Sequence, residues 1–172
     1  WQGLNIHAGH DDMMGVADTG WGMFFARNCQ EAADLTAIAR RVAEDGETPW
    51  FVAQDGFLTT HTIENVQLPE DDLLRRFVGD PRQTVRDLFD PKDALMSGVV
   101  QNQDSYMKGR IAQRAWYDRL TDVAERAMAE WTALTGRHYG LIEPYRTEDA
   151  EYVMVSMGTM ADPATAVVDA LR

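Results

Sequence analysis

Four ligand-type side chains crowd the start of the sequence: His7, His10, Asp11 and Asp12. Imidazole and carboxylate together offer a divalent metal its usual N and O donors. Zinc sites on helices set two histidines four apart, on one face. Here the histidines are three apart, in a glycine-containing loop. Acids in such a loop commonly accept backbone N–H bonds and shape turns. Turn shaping is therefore the expected role. A second group, Asp55, Thr59, Thr60 and His61, follows an apolar run ending at Ala53. A carboxylate, two hydroxyls and an imidazole there suit either proton and hydrogen-bond chemistry or the capping of a loop. Trp21, Phe24 and Phe25 have ring faces for stacking, although core packing is the commoner use of such residues. Cys29 is the single cysteine. Its position near a helix start would favour a thiolate, but a lone cysteine more often packs as a small apolar side chain.

Several catalytic signatures are missing. There is no Gly-x-Ser-x-Gly elbow of a serine hydrolase. There is no Gly-x-Gly-x-x-Gly dinucleotide loop and no P-loop. Gly15, Gly20 and Gly22 lie in a spacing that fits neither.

The elements that position these residues follow from periodicity. Residues 2–6 read as a short strand with Leu4 and Ile6 on one face. Residues 7–20 read as loop, and Met23 to Ala26 as a second strand. Asn28 is an expected N-cap, with Glu31 three positions on as in a capping box. The helix it opens carries Ala32, Leu35, Ile38, Ala39 and Val42 at helical spacing and stops at Gly46. Pro49 to Ala53 reads as a buried strand. Strand, helix and strand in that order predict a βαβ unit with parallel strands. The Asp55 group then sits beyond the carboxyl end of a parallel strand, where open α/β sheets bind ligands.

Further along, Pro69 at N1, with acids behind it, predicts a short helix. Residues 91–104 read mostly as loop. Two helices are expected near 105–115 and 117–135, closed by Gly136. The second has Leu120, Ala124, Ala127, Trp131 and Leu134 as its core stripe. Tyr152 to Met157 reads as an apolar strand, and Asp162-Pro163 as the N-cap and N1 of a last helix. That strand and helix look like the start of a second α/β unit.

The chain has 172 residues, with 45 % hydrophobic and 26 % charged. This is globular composition and enough chain for one domain or slightly more. A net charge of −12 disfavours nonspecific binding to nucleic acid or to an anionic membrane. One cysteine permits no intrachain disulfide, iron–sulfur cluster or cysteine-rich zinc site. No run reaches the roughly 18 apolar residues of a membrane span, and no signal-peptide pattern opens the chain. Trp1 in first position suggests part of a longer polypeptide or a processed product.

Several ordered motifs carry a resemblance. His10-Asp11-Asp12 precedes Ala17-Asp18-Thr19-Gly20-Trp21. Gln30-Glu31-Ala32-Ala33-Asp34-Leu35 follows, then Pro49 through His61 around Asp55-Gly56-Phe57. Gln101-Asn102-Gln103-Asp104-Ser105-Tyr106 runs into Lys108-Gly109-Arg110. Leu134-Thr135-Gly136-Arg137-His138-Tyr139 and Asp149-Ala150-Glu151-Tyr152-Val153 complete the set. Together they resemble the thiamine-diphosphate-binding region of pyruvate:ferredoxin oxidoreductase and other 2-oxoacid:ferredoxin oxidoreductases.

The resemblance implies an α/β thiamine-diphosphate-binding fold, a parallel sheet flanked by helices. Residues 1–145 would be the later part of the pyrimidine-binding domain. Residues 146–172 would begin a domain similar to the transketolase C-terminal domain. It implies a cytoplasmic enzyme that converts a 2-oxoacid such as pyruvate to an acyl-CoA and CO2. Its cofactors would be thiamine diphosphate, Mg2+, [4Fe–4S] clusters and coenzyme A, with metal and clusters held outside this chain. Its partners would be the remaining domains or subunits, ferredoxin or flavodoxin, and a second copy of the whole enzyme. Neither nucleic acid nor membrane is implied. The family's activating glutamate and substrate-binding arginine would lie upstream of Trp1, so no catalytic residue is expected here. Leu4 and Ile6 match apolar residues that line the oxoacid pocket. Ala53-Gln54, Leu58, Thr62 and His7-Ala8 depart from the family pattern and leave the oxoacid open. Two alternatives are a non-oxidative thiamine enzyme and a non-catalytic assembly module.

Overall fold

The computed structural model describes Gly3 and residues 5–80, 90–92 and 100–171. Leu4 lies outside the described residues. The first elements are a short helix α1 (Asp11–Gly15) and a 3-10 turn (Ala17–Thr19). Then come β1 (Gly22–Ala26), α2 (Cys29–Asp45) and β2 (Trp50–Gln54). Helices α3 (Asp71–Val78), α4 (Gln103–Tyr117) and α5 (Leu120–Thr135) follow. A 3-10 turn (Gly158–Met160) leads into α6 (Ala161–Leu171).

The expected βαβ unit is present. β1 and β2 pair in parallel, in register from Gly22 opposite Trp50 to Ala26 opposite Gln54. Together with the helices they make an α/β fold. Asn28 caps α2, its side chain accepting the Glu31 N–H at 3.0 Å. Glu31 does not close the box on Asn28; its carboxylate accepts the N–H of Arg27 at 2.9 Å, one residue further back. The stripe Leu35, Ile38, Ala39 and Val42 is buried, and Ala32 packs against it.

α2 touches both strands, α3 and α5, so it is enclosed on several sides. Phe77 of α3 and Trp131 of α5 are fully buried. Their rings meet edge to face at 4.8 Å, an arrangement the aromatic quadrupoles favour. α4 has no buried residue of its own, yet it ties down the turn before β1 and the loop between α2 and β2. Trp116 donates its indole N–H to Gly46 O at 2.7 Å, and Tyr117 its hydroxyl to Gly20 O at 2.9 Å.

Some expectations shift. Gly3, Asn5 and Ile6 lie in no strand, so the described part of 2–6 is irregular. The 7–20 loop contains α1 and a 3-10 turn. Pro69 precedes the N-cap Glu70 and so stands outside α3. β2 is half-buried, not fully buried. Trp21 is 42 % exposed and stacks on Phe51 at 4.4 Å, so of the three aromatic candidates only Phe24 is core. On α5 the buried face is Val123, Ala124, Ala127, Met128 and Trp131; Leu134 lies past it.

Tyr152 to Met157 form no strand. Tyr152, Val153, Met154 and Val155 are 92, 64, 70 and 89 % exposed. A strand needs a neighbour to satisfy its N–H and C=O groups, and among the described residues none flanks this run. The last helix begins through the 158–160 turn, placing Asp162 and Pro163 inside its first turn, where a missing N–H costs nothing.

Candidate functional site

Just past β2 the chain turns sharply through Asp55-Gly56-Phe57. Phe57 adopts a positive φ of 61°. The Thr59 N–H returns to Asp55 O at 3.2 Å. Thr60 Oγ1 accepts the Phe57 N–H at 3.0 Å and pairs with His61 Nδ1 at 2.8 Å. The His61 ring lies parallel on Phe57 at 4.3 Å. The two threonines and His61 thus hold the turn together.

Asp55 is the buried member of the group. Its side chain is 2 % exposed. Oδ1 meets His10 Nε2 at 2.6 Å. Oδ2 accepts the Thr159 N–H at 2.6 Å and also the Thr159 hydroxyl. Burial alone would raise its pKa, but the bonds from Thr159 and His10 outweigh it and hold the carboxyl below the ordinary aspartate value.

The first histidine-acid group is dispersed. His10 is committed to Asp55, and its ring also lies 5.0 Å from Phe25. Asp12 accepts the Met13 N–H at 2.7 Å. His7 is exposed. Among the described residues no three His, Cys, Asp or Glu side chains cluster as a metal would need.

A cleft of about 480 Å3 opens at this point, between the 5–13 segment and the end of β2. Ile6, His10, Val52, Ala53, Asp55 and Phe57 are among the residues lining it. Ile6 lies at its rim, 45 % exposed. Apolar Ile6, Val52, Ala53 and Phe57 share the cleft with polar Asn5, Asp11, Asp12 and Gln54, and Asp55, its buried carboxylate, already has both oxygens engaged. Cys29 lies elsewhere, its thiol directed to Thr59 O at 3.4 Å.

A second polar cluster pins the helices. Asp34, on α2, is fully buried. Arg137 grips it with two nitrogens, Nε at 2.5 Å and Nη2 at 2.9 Å. Tyr139 donates its hydroxyl at 2.7 Å and Gln30 its amide at 3.1 Å. Burial opposes the Asp34 charge, but these donors more than offset it and lower its pKa. Burial, then Asp34, raises that of Tyr139. Two sequence motifs, Gln30…Asp34 and Arg137-His138-Tyr139, therefore meet as one network. Sequence spacing gave no sign of that meeting. Nor did it reveal Thr159, which lies 104 residues from Asp55.

Fold and cleft define an α/β unit whose candidate site lies beyond the carboxyl end of a parallel strand, where such sheets commonly bind ligands. Residues 1–129 match the family described as "Pyruvate flavodoxin/ferredoxin oxidoreductase, thiamine diP-bdg". The chain is 34 % identical to pyruvate synthase subunit PorA of Methanothermobacter thermautotrophicus, across 98 % of its own length and 44 % of the subunit. It is 36 % identical to the same subunit of Thermotoga maritima, over 98 and 43 % of the two lengths. With the pyruvate-flavodoxin oxidoreductase of Klebsiella pneumoniae the identity is 35 %, over 98 % of this chain and 15 % of that protein. The chain belongs to the pyruvate flavodoxin/ferredoxin oxidoreductase family. It spans less than half the length of these relatives.

Proposed function

We propose that this chain is part of a 2-oxoacid:ferredoxin or flavodoxin oxidoreductase and supplies one wall of its oxoacid pocket. The supporting observation is the cleft at the end of β2, where Ile6, Val52, Ala53 and Phe57 form an apolar part of the wall, in a chain of this family. Leu4 is assigned to the same wall from its match to the family pocket residues. An apolar wall contacts the alkyl end of the oxoacid and keeps water away from the reacting carbon. The carbon–carbon cleavage itself belongs to thiamine diphosphate. The described cleft residues do not fit the task of holding that cofactor's diphosphate, because the lining brings the carboxylates of Asp11, Asp12 and Asp55 and no lysine or arginine, and Asp55 is committed to His10 and Thr159. The groups that hold it are therefore assigned to other segments.

The reaction is the oxidative decarboxylation of a 2-oxoacid, such as pyruvate, to an acyl-CoA and CO2. Electrons leave through [4Fe–4S] clusters to ferredoxin or flavodoxin. Mg2+, the clusters and coenzyme A are bound by other domains or subunits of a cytoplasmic homo-oligomeric assembly. Residues 1–145 belong to the pyrimidine-binding domain. Residues 146–172 open a transketolase C-terminal-like domain, a reading supported by the exposed apolar run at Tyr152–Met157.

Ile6→Arg in the complete enzyme tests the pocket. A charge forced onto an apolar wall is expected to lower kcat/KM for the oxoacid about 100-fold or more, with the melting temperature unchanged. Unaltered kinetics would remove Ile6 from the pocket and favour an assembly role. A colourless complex, active without ferredoxin, would favour a non-oxidative thiamine enzyme.

A further inference from the structure

Three segments far apart in sequence converge on one carboxylate. Asp55 continues β2 into the cleft. His10, on the opposite wall, holds Oδ1 at 2.6 Å. Thr159, in the turn that opens α6, holds Oδ2 through its N–H at 2.6 Å and through its hydroxyl. Gly158 is buried against the same oxygen. Its φ is +62°, and a Cβ there would stand 2.6 Å from Oδ2. This position therefore requires glycine for both its backbone and its contact. Thr159 itself does not line the cleft.

A carboxylate this buried cannot release a partner without bearing the cost of desolvation. Movement of the 158–160 turn draws on Oδ2 and rotates the carboxyl group. His10 must then follow or lose its partner. Other links between these regions are weaker. Arg27 reaches Asp162 at 3.6 Å and Glu143 at 3.4 Å, but those acids are half-exposed and such pairs contribute little.

We propose that Asp55 is a positioning residue that couples the Ile6–His10 wall of the cleft to the seating of the 158–171 unit. The functional consequence rests on reading the cleft as the oxoacid pocket.

Thr159→Val in the complete oxidoreductase is the test, because it alters only the far side of Asp55. Hydrogen exchange is followed by mass spectrometry in peptides covering residues 7–14 and, as reference, α2. Exchange at 7–14 is expected to rise about ten-fold, with α2 unchanged. The oxoacid KM is expected to rise about five-fold while kcat stays within about two-fold. His10→Ala should also speed exchange at 7–14. His10→Gln, which keeps a donor near the Nε2 position, should restore most of the protection.

Unchanged exchange at 7–14 in Thr159→Val overturns the coupling, whatever His10→Ala does. So does an equal rise in α2, which marks general loss of stability. Faster local exchange with unaltered KM sustains the coupling and overturns instead the placement of the oxoacid in the cleft.

Discussion

Asp34 illustrates how a single residue can be conspicuous in structure and silent in sequence. It sits among Leu35, Ile38 and Val42, yet carries a charge and is fully buried. Its i,i+4 neighbour Gln30 is the partner that helical spacing itself places beside it. Arg137, which is 103 residues away, is not so placed, because helical spacing carries no information on distant partners. Removing one side of a buried ion pair leaves the other uncompensated, at about 3 kcal/mol or more. Arg137→Ala is expected to cost that much in urea unfolding. A loss below about 0.5 kcal/mol would show the pair to be neutral. Acid should act through the same groups. Asp34 and Asp55 both have folded pKa values below their unfolded ones. Each stabilises the fold fully above its unfolded pKa, about 3.9, and loses that contribution as pH falls through the folded value. Glu31 has the opposite sign, its pKa raised chiefly by burial. Its contribution is complete below the ordinary glutamate value and is lost as pH rises through its folded pKa, so it partly offsets the aspartates. Unfolding free energy measured from pH 6 down to pH 2 should fall steeply below about pH 4. A flat profile there would contradict the two aspartate assignments.

Among the elements, α2 was legible because every local signal agreed. Cap, stripe and stop pointed to one helix, and it runs from Cys29 to Asp45 as they indicate. Short α1 was not legible. It has five residues, starts at His10 in a left-handed conformation and has no side-chain cap. Its N-cap His10 packs against Asp55 and Phe25, contacts that local spacing does not foretell. The cap of α2 can be tested alone. Asn28→Ala removes the acceptor for the Glu31 N–H and is expected to cost about 1 kcal/mol in urea unfolding. Asn28→Asp should retain most of that stability, since it keeps the acceptor and adds a charge favourable at a helix start. If alanine and aspartate behave alike, the cap is not what stabilises this end.

For the whole molecule, the informative surface is the run from Tyr152 to Val155. Its sequence pattern, apolar at successive positions, is that of a strand buried on both faces. Here each of those residues is more than half exposed. The expectation of a strand was therefore a statement about neighbours. The relatives this chain matches extend well beyond the length it covers. The cleft at the end of β2 was legible because the parallel βαβ unit fixes where ligands go. The seating of 158–160 was not, because it depends on how the last helix packs. Val155→Asp separates the two environments. In this chain alone Val155 is 89 % exposed, so the change should alter stability by no more than about 0.5 kcal/mol. If the run joins a sheet in the complete enzyme, as the proposed second domain requires, the same aspartate is expected to be buried without a partner, at about 3 kcal/mol or more. Thermal unfolding of both forms checks this. If the complete enzyme tolerates aspartate as well as the isolated chain does, Tyr152–Val155 stays at the surface and builds no second sheet.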